Sequence, residues 1–224
     1  MTITLDYLIP EFKNHIAIVA NGEFPSSELV LNWLQQRQLL IACDGALNNL
    51  QQQQIITDFA IGDGDSRTNV DSANLRNPFI EIKDQNSNDL SKAVTWAASN
   101  YGTEMPLIIY AASGRRDDHA LANIALLQQY AQQFPHIIML NDYGIWHPLK
   151  RGNNIIRTRI GQQLSFFGLN PALRLSCQQL KWPLAEFKFD FLNSGTLNQC
   201  TANYIDVETN SPALLYLAFE IKSA

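Results

Sequence analysis

The chain of 224 residues has little cysteine, no long apolar run and no excess of positive charge. Its three cysteines, Cys43, Cys177 and Cys200, lie far apart without CxxC spacing, which excludes the usual zinc and dithiol patterns and points to reduced, buried thiols. No stretch approaches the roughly 20 apolar residues of a membrane span, so no membrane partner is expected. The opening segment MTITLDYLIPEFKNH has no basic region ahead of an apolar one, and a cytoplasmic location is expected from that. Lys and Arg number 16 against 21 Asp and Glu, giving a net charge of −5. With a pI near 5.3, the chain offers no basic patch for nucleic acid. Several motifs are absent as well: GxxxxGK[ST], GxGxxG, HExxH and GxSxG. Any nucleotide must be held in another way.

What is present is a soluble composition, 46% hydrophobic and 17% charged, divided into two patterns. Up to about Asp142, short apolar runs alternate with helical periodicity. Strands are expected at 15–20, 39–42, 59–61, 79–82, 107–111 and 137–140. Helices are expected around Val30, Trp33 and Leu34, around Leu90, Ala93, Val94 and Ala97, and around Leu127, Ala131 and Phe134. This alternation reads as a parallel-sheet α/β domain with flanking helices. Beyond Asp142 the period becomes two. Ile156, Thr158 and Ile160 alternate with arginines, Phe187, Phe189 and Phe191 with Lys188 and Asp190, and Leu215, Leu217, Phe219 and Ile221 with more polar neighbours. The expected architecture is an α/β domain at 1–142 and a C-terminal all-β sandwich at 143–224.

The acidic residues fall at strand ends. Asp44 follows one apolar run, Asp63 and Asp65 the next, Asp84 and Asp89 the fourth, and Asp118 the fifth. In a parallel sheet these loops emerge at one edge, where open α/β folds bind ligands. Carboxylates gathered there repel one another unless a cation intervenes. All-oxygen donors suit Mg²⁺, which one or two carboxylates and substrate phosphates commonly hold. Lys92, one turn into the helix opened by Asn88, and the Arg115–Arg116 pair supply positive charge for phosphate, and helix N-termini add N–H donors. Each piece alone has a plainer reading. Gly62-Asp63-Gly64-Asp65-Ser66 can be an Asx-rich turn, Asp89 and Lys92 an i, i+3 surface pair, Asp117 a helix cap and Asp44 a turn residue. A calcium loop counted from Asp63 fails, because Thr68 and Asn74 stand where Gly and Glu are required. Trp182 and Tyr216 are read as face-covering aromatics or as ligand-stacking ones.

Taken together, ACDGALNNL, IGDGDS, DQNSNDLSKAV, SGRRDDHALANI, LKWPL and the terminal β segment resemble the thiamine pyrophosphokinase (thiamine diphosphokinase) family in order and spacing. The resemblance implies transfer of the diphosphoryl group of ATP to the hydroxyl of thiamine, with release of AMP. It also implies a Mg²⁺ cofactor and a homodimer with active sites at the subunit interface. By position, Asp44, Asp63, Asp65 and Asp89 would bind metal. Asp44, Asp65, Asp89 and Asp118 would be catalytic, Asp118 facing the acceptor. Ser66, Gln85, Asn88, Lys92 and Arg116 would lie along the phosphates, with Thr196 and Tyr216 on thiamine. The chain departs from the usual pattern at Gly64, Asn86, Asn88 and Arg115, at Thr196-Leu197 where a Ser-Asn pair is common, and at Tyr216 where some members carry Trp. These departures leave two alternatives: a diphosphokinase for another hydroxymethyl heterocycle such as a pterin, and a non-catalytic module sensing nucleotide or thiamine.

Overall fold

The computed structural model describes residues 3–64 and 74–222. The chain divides into two compact units, Phe12–Asn141 and a second formed by Met1–Glu11 together with Asp142–Ala224.

Among its described residues the first unit carries six parallel strands: β1 (Ile16–Val19), β2 (Leu39–Cys43), β3 (Phe59–Gly62), β4 (Ile80–Glu81), β5 (Leu107–Tyr110) and β6 (Ile137–Asn141). They lie in the order β6-β5-β1-β2-β3-β4. The segments IAIV and LIIY are buried at every position, as continuous apolar, β-branched runs must be when a sheet is covered on both faces. The fourth expected strand forms only a two-residue ladder at the edge of this order. Helix α2 (Glu28–Gln35) buries Val30, Trp33 and Leu34 as its spacing demands. After the short α3 (Leu47–Gln52), helix α4 (Asp89–Tyr101) buries Leu90, Ala93, Val94 and Ala97. Helix α5 (Asp117–Tyr130) stops sooner than the Leu127, Ala131, Phe134 spacing suggests; Phe134 is still buried, but from the turn beyond.

The second unit is antiparallel. Its strands are β7 (Gly144–Leu149), β8 (Gly152–Arg157), β9 (Gln162–Phe167), β10 (Arg174–Cys177), β11 (Leu184–Lys188), β12 (Gly195–Gln199), β13 (Tyr204–Thr209) and β14 (Ala213–Ile221). They form two layers, β12-β9-β14-β7 and β11-β10-β13-β8, the expected sandwich. Two of the alternations end early. Strand β8 stops at Arg157, leaving Thr158 buried with its hydroxyl on the Ala202 carbonyl (2.8 Å) and Ile160 exposed. Strand β11 stops at Lys188, two residues after Glu186 takes a left-handed φ of 47°, so Phe191 is 74% exposed. Residues 3–11 group with this unit, whereas the sequence pattern places them in the α/β domain at 1–142. Helix α1 (Leu5–Leu8) buries Leu5 and Leu8, and Tyr7 donates to the Asn203 carbonyl (3.0 Å) beneath the Arg159 guanidinium, 3.3 Å from its ring.

Candidate active site

Strand β1 runs on toward β2 and β3, whereas β5 and β6 lie on its other side, so the order reverses between β1 and β5. Ligands of open α/β sheets bind beyond the carboxyl ends of the strands at such a reversal. A cavity of about 470 Å³ lies there, lined by residues following β1 (Asn21, Gly22), β2 (Gly45), β3 (Asp63) and β5 (Ala112, Ser113), and by the first turns of α4 and α5. The loops meet closely. Gly22 N–H donates to the Ala111 carbonyl (2.6 Å), and a Cβ at Gly22 would strike the carbonyl oxygens of Ala111 and Ser113. Only glycine lets these two strand exits touch.

Within the cavity wall, the Lys92 ammonium sits 3.0 Å from Asp89 Oδ1 and 3.4 Å from Asp63 Oδ2. Lys92 is buried, and burial by itself would lower its pKa, yet the hydrogen bonds and charges of Asp89 and Asp63 outweigh that and raise it. The group is a fixed cation. Asp44 is buried too, and a Cβ on Gly62 would lie 2.5 Å from the Asp44 Cβ, so Gly62 makes the room that Asp44 occupies. The neighbouring Cys43 thiol is pushed well up, by burial first and then by the negative charges of Asp89 and Asp44. It is no nucleophile at neutral pH.

Asp63, Asn88, Asp89, Lys92 and Arg116 thus meet at one cavity. Gln85 is exposed in the preceding loop, which folds on Asp84: its carboxylate accepts from Asn86 N–H (2.9 Å), the Asn86 amide (3.1 Å) and the Ser87 hydroxyl (2.5 Å). These bonds, that of Ser87 foremost, hold the Asp84 carboxyl below its ordinary range. Asp118 is exposed and gripped by Arg116 through Nε (3.1 Å) and Nη2 (2.6 Å), which depresses its pKa and suits it better to orienting a partner than to taking its proton. Asp65 and Ser66 lie outside the described residues. Among the described residues no group of three or more His, Cys, Asp or Glu side chains could hold a metal. In the β unit, Thr196 Oγ1 donates to the Asn193 carbonyl (2.8 Å), and Tyr216 packs on Trp146, ring centroids 4.8 Å apart.

Asn21, Ser87, Ser113, Arg115, His119 and Asn123 also line the cavity. The Asn21-Gly22 pair directly after the first apolar run was the available signal for that loop; Asn123, inside a helix, was marked only by lying in the segment SGRRDDHALANI.

An α/β unit with an acidic, lysine-bearing cleft at its sheet edge, followed by a β-sandwich, defines a class of two-part enzyme. The catalytic domain of thiamin pyrophosphokinase matches residues 30–139, and the substrate-binding domain of thiamin pyrophosphokinase matches residues 144–216. The chain belongs to the thiamin pyrophosphokinase family, and its function is that of a thiamine diphosphokinase. No curated protein matches it in sequence. Solved structures agree in fold. Thiamin pyrophosphokinase from Candida albicans superposes with a TM-score of 0.77 at 16% identity, over 96% of this chain and 92% of that one. For the Bacillus subtilis enzyme the values are 0.73 and 21%, over 92% and 100%. For the yeast enzyme they are 0.74 and 16%, over 97% and 94%.

Proposed function

We propose that the cleft of the α/β unit binds the triphosphate of ATP as its Mg²⁺ complex and directs the β,γ-diphosphoryl group to thiamine. The hydroxyl oxygen of thiamine attacks the β-phosphorus, the bond from that phosphorus to the oxygen bridging the α-phosphate breaks, and AMP leaves as the hydroxyl proton is released. Such a transfer asks for positioning and charge neutralisation, not for a covalent nucleophile.

The supporting observation is the buried Lys92 ammonium between Asp63 and Asp89 at the carboxyl edge of the sheet. The donor set fits Mg²⁺: carboxylate oxygens, with no thiolate or imidazole among the residues assigned to the metal, and few enough to leave coordination positions for phosphate and water. Asp63 and Asp89 would hold the ion, with Asp65 in the same segment and Asp44 behind Gly62. Bound, it neutralises charge on the transferring group. Lys92 and Arg116 bring positive charge to phosphate oxygens, the open N–H groups of α4 add donors, and Asp118, held by Arg116, orients the acceptor. Ser66 and Gln85 are assigned to the phosphate side, Asn88 to the N-terminus of α4 that presents those donors, and Thr196 and Tyr216 to thiamine. A homodimer in the cytoplasm completes the reading.

Purified protein with Mg²⁺, ATP and thiamine is expected to yield thiamine diphosphate and AMP, and to yield neither once EDTA removes the metal. Formation of ADP in place of AMP would overturn the diphosphoryl assignment. Asp89→Asn and Asp65→Asn are each expected to lower kcat about 100-fold or more without changing the melting temperature greatly. Wild-type turnover in both would remove the acidic-cluster mechanism. Light scattering during gel filtration checks the dimer.

A further inference from the structure

Two walls of the cleft are joined by a short relay of side-chain amides. Asn88 caps α4, its Oδ1 accepting the Ser91 N–H at 2.8 Å. That leaves Asn88 Nδ2 to donate, and it does so to Asn123 Oδ1 at 3.3 Å. Asn123, on α5, then donates its own Nδ2 to the Ala112 carbonyl at 3.0 Å. Both ends of the relay are backbone groups that can act only one way, an N–H that donates and a carbonyl that accepts. Either amide, flipped, would set like groups against each other, so both orientations are determined.

The far end of the relay meets a strained backbone. Ala111, buried at the exit of β5, takes a φ of 52°, a left-handed conformation that a residue with a Cβ adopts at a cost. Backbone bonds clamp it on one side, from Gly22 N–H to the Ala111 carbonyl (2.6 Å) and from Glu23 N–H to the Ser113 carbonyl (2.7 Å). The Asn123 amide is the side-chain clamp on the other.

We propose that Asn123 is a positioning residue for the transfer, locking the first turn of α4, with Asp89 and Lys92, to the strained exit of β5 that leads to Arg115 and Arg116. Asn88 then acts through the helix it caps and through Asn123, not by touching phosphate. The kinetic part of this inference rests on the diphosphokinase reading; the mechanical part does not.

The test uses the full chain and three variants: Asn123→Ala, Asn88→Thr, which keeps a capping oxygen but loses the donor, and the double variant. Backbone amide exchange is expected to rise at residues 89–92 and 111–113 together in Asn123→Ala, and at 89–92 in Asn88→Thr. In turnover assays, each single change is expected to lower kcat about tenfold with the KM for thiamine unchanged, and the double variant to be no slower than the slower single. Unchanged exchange at 111–113 in Asn123→Ala overturns the relay whatever the activity. Faster exchange with wild-type kcat, or with independent losses multiplying in the double variant, overturns the positioning role. A wild-type chain that makes no thiamine diphosphate overturns the reaction assignment instead, and the exchange result then decides the relay on its own.

Discussion

Lys92 gathers the physics of the cleft into one side chain. A buried ammonium is costly unless paired, and here two carboxylates, Asp89 at 3.0 Å and Asp63 at 3.4 Å, pair it. Because its folded pKa is raised above the ordinary 10.5, its stabilisation is fully present below that pH and is lost only as pH rises through the higher folded value. Turnover is therefore expected to show no titration of Lys92 between about pH 6 and 9, which a kcat profile checks. Lys92→Met, which keeps the length and removes the charge, is expected to lower kcat/KM for ATP by about 100-fold or more while leaving Asp63 and Asp89 to repel each other. At another position a residue works against its surroundings. Leu197 is 76% exposed with φ 62°, and its N–H is bonded to Ser165 Oγ, a contact that needs no side chain. Leu197→Gly is expected to stabilise the protein by about 0.5–1 kcal/mol, seen as a higher melting temperature, since strain is relieved and almost no apolar burial is lost.

Among the elements, α4 is tied down at both ends. Its N-terminus has the Asn88 cap, and Asn88→Ala is expected to cost about 1 kcal/mol in denaturant unfolding. Toward its C-terminus, Trp96 lies against Phe59 of β3, ring centroids 4.7 Å apart, and against Tyr101 at 5.8 Å. Trp96→Ala is expected to cost about 2–3 kcal/mol by the same measurement, at the low end for an aromatic truncation because the ring is only half-buried. The helix was readable in advance because four apolar residues at 3.6-residue spacing follow a capping residue. Helix α5 was less so: its buried Leu127 and Tyr130 leave Leu121 exposed, and the periodic signal that ran on to Phe134 came from a turn. Strand β11 misled in the same way, since three phenylalanines in alternation do not reveal that Glu186, directly before the first of them, takes a positive φ.

For the whole molecule, acid is the expected weakness. His15 is enclosed between the Phe12 carbonyl (2.9 Å) and the Tyr110 hydroxyl (2.8 Å) in the α/β unit, and His147 is buried on β7. The carbonyl can only accept, so His15 donates from Nδ1 and, being neutral, accepts the tyrosine proton at Nε2. Burial pulls both imidazoles down to about 4. A depressed histidine pKa means that the unfolded chain binds the proton first. The stability these groups contribute is whole above about pH 6.5 and drains away as pH falls toward 4. Each is expected to account for on the order of 3 kcal/mol across that window. Urea unfolding at pH 7 and pH 4.5 checks this, with His147→Leu expected to flatten the dependence.

The residues by themselves determined the class of fold, the change from period 3.6 to period two near Asp142, and the placing of aspartates after strands, because burial imposes its period on any chain that folds. The motif order pointed to the family. Tertiary structure alone decided which of those polar groups meet: Asp63 and Asp89 on one lysine, Asp118 on Arg116, Asn123 beneath Asn88, and residues 3–11 on the sandwich. Such pairings join positions far apart in the chain, and no local period records a contact between separate segments.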